Sequence, residues 1–463
     1  MASQNGRIIV RGGSFNSNSA GHDGGVMISH QANITIHGGS FDSNSAGHDG
    51  GAMTSQQGSM TVDGGSFDSN SAGHDGGVFH IYQGVLNTSE NAYQNNTAVS
   101  DGGVINTYQS TTTTSKCSFN NNSRLNDGGV FFMYQSTTSA SECSFNSNNV
   151  RNDEGAINVY KGSLNISEDT TFNYNTAHND GGVIHAYELD TTIIGNSYNN
   201  NKAGNRGGVW FVYQGTLMVT KSILSHSKAA DGGVMYADEG NVTMDSTFCV
   251  GNKADEGGAL HTHQSTVSVN HSSFSQNSAI KDGGALFIEE GQAMLQEVSF
   301  INNSASSGGA TYSSNSNTSF KSTTFKQNLV INDGGAIYFS RTVLNSFDSL
   351  LISNNRASVG VVYLLGSTAN FYGQTTFSDN SGSCLMVSSN VTFMGSTNFV
   401  NGSESVRSHD TTDVREGGAL TIYKSDVTFD GTSILTYNYA KNGGAIHAIE
   451  SKVWRYNNSL QHS

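Results

Sequence analysis

Three kinds of side chain recur in this sequence at spacings that would gather them into sites. The first are acids standing two positions before a glycine that returns about every 26 residues: Asp23, Asp49, Asp75, Asp101 and Asp127, then Asp153, Asp180, Asp231, Glu256, Asp282, Asp333 and Glu416. Stacked one above another, such carboxylates would lie about 5 Å apart and repel by roughly 1 kcal/mol in water, or 3–4 kcal/mol at the effective dielectric of a protein surface. Outward splay, raised pKa values or bound cations would relieve the repulsion, and calcium between coils is the ion that hard oxygen donors would take. The preferred reading is plainer: each Asp accepts hydrogen bonds from turn amides. The calcium-binding nonapeptide GGxGxDxUx is absent. His22, His48 and His74 sit beside the first three acids. Zinc requires convergent nitrogens in a closed geometry, and recent duplication accounts for three identical His residues without a metal.

The second kind is aromatic. Tyr82, Tyr108, Tyr134, Tyr160, Tyr187 and Tyr213 each fall five residues after the recurring glycine, with His80, Phe132, His185 and Phe211 two positions earlier. Strand alternation puts the apolar Ile81, Met133, Val159 and Val212 inside and the aromatics outside. A strip of rings about 5 Å apart can stack on sugars or anchor a protein partner; the alternative is an external ladder that only stiffens the stack. The third is a loop, GSESVRSHDTTDVRE at 402–416, which gathers Arg407, His409, Asp410, Asp413, Arg415 and Glu416. Phe399 precedes Gly418 by nineteen residues where ten is usual, so the turn carries an insertion of about nine. Insertions in solenoids map to surface loops, some of which bind and some of which are merely tolerated.

What positions these residues is the repeat. The stretch GGSFDSNSAGHDGG at 38–51 returns unchanged at 64–77. The second glycine of the pair recurs at Gly25, Gly51, Gly77, Gly103, Gly129, Gly155, Gly182, Gly208, Gly233, Gly258, Gly284, Gly309 and Gly335. About ten residues before it comes an aromatic, as at Phe41, Phe67, Tyr93, Phe119, Phe145, Phe172 and Tyr198, and later Phe248, Phe274, Phe300 and Phe325. Asn follows most of these three residues on, as at Asn44, Asn70 and Asn96. Between the marks apolar residues alternate with polar ones, and no helical periodicity occurs. One such coil cannot bury its own face, whereas stacked coils can. The expected fold is all-β: one continuous right-handed parallel β-helix over residues 1–463, about 17 coils of ~26 residues with three short strands each, roughly 80 Å long. The Phe row and the Val/Ala row after Gly-Gly should line the interior. The Asn row should be an amide ladder, and Gly-Gly should supply positive φ or close backbone approach.

Composition agrees. With 55 Gly, 0 Pro and only 13% charged residues in 463, the chain suits a backbone whose amides are needed in ladders. A net charge of −15 argues against nucleic acid as a partner and against a basic patch for anionic membranes. No apolar run is long enough for a transmembrane helix. The start, MASQNGRIIVRGG, has no signal-peptide core and enters the repeat almost at once, so the chain reads as a fragment of a longer repeat protein. Cys117 and Cys143 occupy equivalent positions and are expected as two reduced thiols.

The pair of marks, FxxN followed by GG[AV] and a large apolar residue, resembles the repeats of the chlamydial polymorphic outer membrane proteins, with FxxN and GGA followed by Ile, Leu or Val. Similar repeats occur in large surface proteins of eukaryotes. Val often replaces Ala here, and the resemblance spans roughly residues 12–448. It implies a β-helical, adhesin-like passenger at the cell surface or outside the cell, binding a glycan or a protein. The function expected is therefore a non-enzymatic rod with an adhesive or interaction role and no organic cofactor. The alternative is a carbohydrate-active, pectin-lyase-like β-helix or a glycan-binding module. Such enzymes need carboxylates or a basic residue converging in one cleft, whereas here the acids form a uniform row.

Overall fold

The computed structural model describes residues 1–124, 129–150, 155–403 and 417–456. They form two compact units, one of residues 1–230 with 234–236 and one of residues 231–233 with 237–463. Every element among the described residues is a β-strand, and the strands stack in parallel as a solenoid of about 17 turns at a spacing near 26 residues.

One coil of the first unit shows how the sequence makes the turn. Strand Phe79–Tyr82 pairs in parallel with Met53–Gln56 on one side and Ile105–Tyr108 on the other. Phe79 and Ile81 point inward and are fully buried. Gln83 then takes φ 51°, and the chain bends by one residue into Val85–Ser89. Glu90 (φ 55°) makes the next corner before Ala92–Gln94, and Asn95 (φ 53°) the third. Left-handed conformations cost non-glycine residues roughly 1–2 kcal/mol. Side-chain ladders across coils offset part of that cost: Gln31, Gln57, Gln83 and Gln109 each donate to the amide oxygen of the next Gln up the stack, as far as Gln135, at 2.9–3.0 Å. A fourth strand of two residues, Thr97–Ala98, follows the third corner and pairs with Ser71–Ala72. The three strands expected per coil are thus joined by a fourth, too short to leave an alternating pattern.

Two glycines close the coil, each for its own reason. Gly76 has φ +66°, while a Cβ on Gly77 would sit 2.1 Å from the carbonyl oxygen of Gly103 in the next coil. The first glycine is there for its dihedral and the second for the approach of neighbouring backbones.

Inside, Phe41, Phe67, Tyr93, Phe119, Phe145, Phe172 and Tyr198 form a stacked ladder in the first unit, with ring centroids 4.6–5.1 Å apart. Beside it runs the amide ladder. Asn70 Oδ1 accepts both the backbone amide and Nδ2 of Asn44, and Asn70 Nδ2 donates to the Phe41 carbonyl and to Asn96 Oδ1. The pattern holds through Asn175 and Asn201. Each of these buried Asn residues is saturated, which is the condition for burying an amide without penalty.

The second unit repeats the plan, with Leu260–His263, Leu286–Glu289, Thr311–Ser314 and Ile337–Ser340 as successive first strands. It corrects one expectation. Cys249, not Phe248, stacks in register on Phe274; Cys249 is fully buried and Phe248 is 52% exposed. The coil has lost a residue between the third strand and Gly-Gly, so counting ten back from Gly258 lands one position early. Asn252 accordingly heads this unit's amide ladder, donating to Asn277. All four cysteines are buried free thiols, and the Cys117 amide donates to Cys143 Sγ at 3.5 Å.

Candidate functional site

The outer face of the first strand and the turn before it hold the acids and aromatics named above. Tyr82, Tyr108, Tyr134, Tyr160, Tyr187 and Tyr213 lie in register on their strands, outward and half-buried, with the buried Ile81, Met133, Val159 and Val212 each one position before. Tyr82, Tyr108 and Tyr134 stack with centroids 5.2 and 4.9 Å apart and planes within 9°. Tyr160, Tyr187 and Tyr213 form a looser run at 5.5 and 5.0 Å, tilted by 33° and 26°. Tyr160 also leans on Phe132 and His185, at 6.2 and 6.3 Å. The Gln ladder borders the strip at the corner that follows it.

The residues two positions earlier behave differently. His185 and Phe211 stack at 4.7 Å yet are only 8% and 5% exposed, because the acidic turn folds over them. The Thr54 hydroxyl, at the equivalent position, donates to the Asp49 carbonyl of that same turn. They are therefore not an accessible continuation of the Tyr strip. The row extends further than the sequence reading took it. Tyr236 stacks on Phe211 in the first unit. In the second, His261, Phe287, Tyr312, Tyr338 and Tyr363 follow one another at 4.5–5.0 Å. Each lies three residues after the second glycine of its coil, and aligning the coils on that glycine would have found them.

The acids form the row expected, and the first of them bond within the stack. Asp23 Oδ1 accepts the amide of Asp49, Asp49 that of Asp75 and Asp75 that of Asp101, at 2.9–3.2 Å. The donors are amides one coil away, not those of the acid's own turn. Burial, and then the neighbouring Asp49 carboxylate, raise the Asp75 pKa; burial also raises that of Asp282, where a Ser307 hydrogen bond opposes it. Asp49, Asp75 and His80 each offer one donor atom within 4.8 Å of the others, as do His22, Asp23 and His48, and a divalent cation would find its ligands there. His22, His48 and His74 stack face to face at 4.5 and 4.6 Å. Asp127 and Asp153 lie outside the described residues, as do Arg407, His409, Asp410, Asp413, Arg415 and Glu416 of the inserted loop.

One position in the acidic row carries the opposite charge. Arg206 donates from Nε and Nη2 to the two oxygens of Asp180, at 3.1 and 2.6 Å, and its amide donates to Asp180 Oδ1 as well. The guanidinium lies over Phe211 and Tyr236, 4.5 and 5.2 Å from their centroids. Carboxylate on one side and ring faces beneath are the two surroundings a guanidinium favours.

Among known families, the Chlamydia polymorphic membrane protein repeat matches at residues 169–187, 271–289, 297–314 and 322–340. Each match runs from the third strand through the buried aromatic, the ladder Asn and Gly-Gly to the outward face of the first strand. No curated protein matches the chain. Two solved structures of the PL6-family alginate lyase AlyGC, one an arginine-to-alanine mutant, align over 98% and 96% of this chain and 97% of theirs, at 8% identity. Their TM-scores of 0.18 and 0.21 mark superpositions too poor to bear an inference. Among the described residues no helix is long and apolar enough to cross a membrane.

Proposed function

We propose that this chain, a parallel β-helix repeat protein with polymorphic-membrane-protein-type repeats, is a surface-displayed, non-enzymatic scaffold whose outer aromatic face recognises a glycan or protein partner. The observation that carries the reading is the pair of stacked Tyr runs, Tyr82 to Tyr134 and Tyr160 to Tyr213, held outward in register on strands whose alternate residues form the core. Core packing fixes the position of these rings without covering them, and rigid exposed aromatics present contact area at low entropic cost. The acidic row supports the non-enzymatic part, since the carboxylates of Asp23, Asp49 and Asp75 accept backbone amides in the neighbouring coil. The match to a membrane protein repeat supports the surface location.

The test is a glycan array and a cell-binding assay with the native chain and a Tyr82→Ala/Tyr108→Ala/Tyr134→Ala/Tyr160→Ala variant, each with calcium and with chelator. Saturable binding that the variant loses is expected, and calcium dependence would assign a cation to the acidic row. Binding that persists in the variant overturns the role of the strip.

A further inference from the structure

Arg206 shows what fits between the acidic turn and the inner aromatic row. Its side chain starts at the acidic position, meets the carboxylate of the preceding coil, Asp180, and covers the ring of its own coil, Phe211, and that of the next, Tyr236. Beneath the guanidinium, Phe211 is 5% exposed.

The second unit carries the same positions without the guanidinium, although the Ser307 amide donates to the Lys281 carbonyl rather than to the carboxylate. Ser307 stands where Arg206 does, one residue before Gly308-Gly309 and bridged in register to Asp282 of the preceding coil. Tyr312 takes the place of Phe211 and Tyr338 that of Tyr236, stacked at 4.9 Å with planes 4° apart. Asp282 takes the place of Asp180. The serine is too short to cover the rings, and Tyr312 is partly exposed where its counterpart Phe211 is 5% exposed. Burial chiefly, with the Asp282 carboxylate among the lesser causes, raises the pKa of both phenols. The chain's net charge of −15 favours a cationic visitor.

From this equivalence we infer that Asp282, Ser307, Tyr312 and Tyr338 form a receptor slot for an arginine side chain presented by a partner polypeptide, which docks there as Arg206 docks on its own chain. The inference rests on the reading of the outer face as a recognition surface and names the chemistry of the partner. Guanidinium is favoured over ammonium because the slot offers a flat ring pair and a carboxylate edge, which a planar fork can use together.

The experiment uses a fluorescent, end-capped Gly/Ser peptide with arginine at alternate positions, titrated by anisotropy against the whole chain at 0.15 M salt. Lysine and citrulline versions serve as comparators. The arginine peptide should bind at least tenfold more tightly than the lysine peptide, and the citrulline peptide should not bind. Ser307→Arg fills the slot from within and should weaken binding at least tenfold, as should Asp282→Asn. Ser306→Arg, beside the slot, and Asp426→Asn, several coils away, alter charge by the same amounts and should leave affinity within twofold. Arg206→Ser opens the equivalent place in the first unit and should add one peptide site. Equal affinity for lysine, equal effects of Ser307→Arg and Ser306→Arg, or an unchanged site number in Arg206→Ser overturns the inference. Since the Tyr82-to-Tyr160 variant leaves this slot intact, failure of the Tyr strip on the array and failure of the slot are separately visible.

Discussion

Asn70→Ala should destabilise the first unit far more than the loss of one polar side chain suggests. The substitution removes four hydrogen bonds: Asn44 N and Asn44 Nδ2 to Asn70 Oδ1, and Asn70 Nδ2 to the Phe41 carbonyl and to Asn96 Oδ1. At roughly 1 kcal/mol net for each, the cost is about 4 kcal/mol, and much of it comes from leaving the buried Asn44 amide without an acceptor. Asn70→Asp should be no better, because a carboxylate has no donor for the Phe41 carbonyl and brings buried charge. Asn18 is the internal control. It is exposed, and Asn18→Ala removes only its Nδ2 bond to Asn44 while keeping its amide bond, so it should cost less than about 1 kcal/mol. Urea unfolding followed by circular dichroism measures all three variants. Because coils interact mainly with their neighbours, the slope as well as the midpoint should be compared. An Asn70→Ala protein within 0.5 kcal/mol of the native chain would refute the view that the ladder is a structural necessity.

Other outcomes follow from the same geometry. Gly77→Ala, whose Cβ would lie 2.1 Å from Gly103 O, should abolish soluble folded protein; Gly64→Ala, at φ +69° with nothing within 4 Å, should cost only the left-handed penalty of roughly 1–2 kcal/mol in thermal unfolding. Asp75 titrates above its usual range when folded, so its contribution to stability is greatest below its unfolded pKa and falls as pH rises through the folded one. Asp75→Asn keeps the oxygen that accepts the Asp101 amide and should raise Tm at neutral pH while shrinking the gain seen on mild acidification. The four thiols are buried, and an aromatic disulfide reagent should modify them only after unfolding, Cys117 included although the Cys143 hydrogen bond lowers its pKa.

The sequence shows most plainly those features whose partners are copies of themselves. Phe67 stacks on Phe41 and Asn70 bonds to Asn96, so a row of identical residues at one period announces the contact. Features that break the period are hidden. Phe248 looks like a ladder residue because the count back from Gly258 crosses a deletion, while Cys249 keeps the inward place set by the strands before it. Asn355 belongs to the amide ladder, yet three residues before it stands Ile352 rather than an aromatic. Partners unlike each other are hidden too. Asp23 is satisfied by the amide of Asp49 and Asp180 by the side chain of Arg206, each 26 residues away, and no local pattern records either pairing. The half-exposed Tyr strip was legible because alternation alone decides which way a strand residue points. The near-burial of His185 and Phe211 was not, because it depends on how the preceding turn folds back.

The close approach at the second glycine has a consequence for how such a chain changes over generations. Since the carbonyl of one coil touches the glycine of the coil before it, the corner fixes a phase for the coils that carry the pair. Copies that keep the phase, such as residues 38–51 and 64–77, are interchangeable. Unequal exchange between them adds or removes one whole coil and leaves every ladder continuous. A change in length by one whole coil therefore leaves the packing of this scaffold intact, while an outer position can change by point mutation without shifting its neighbours.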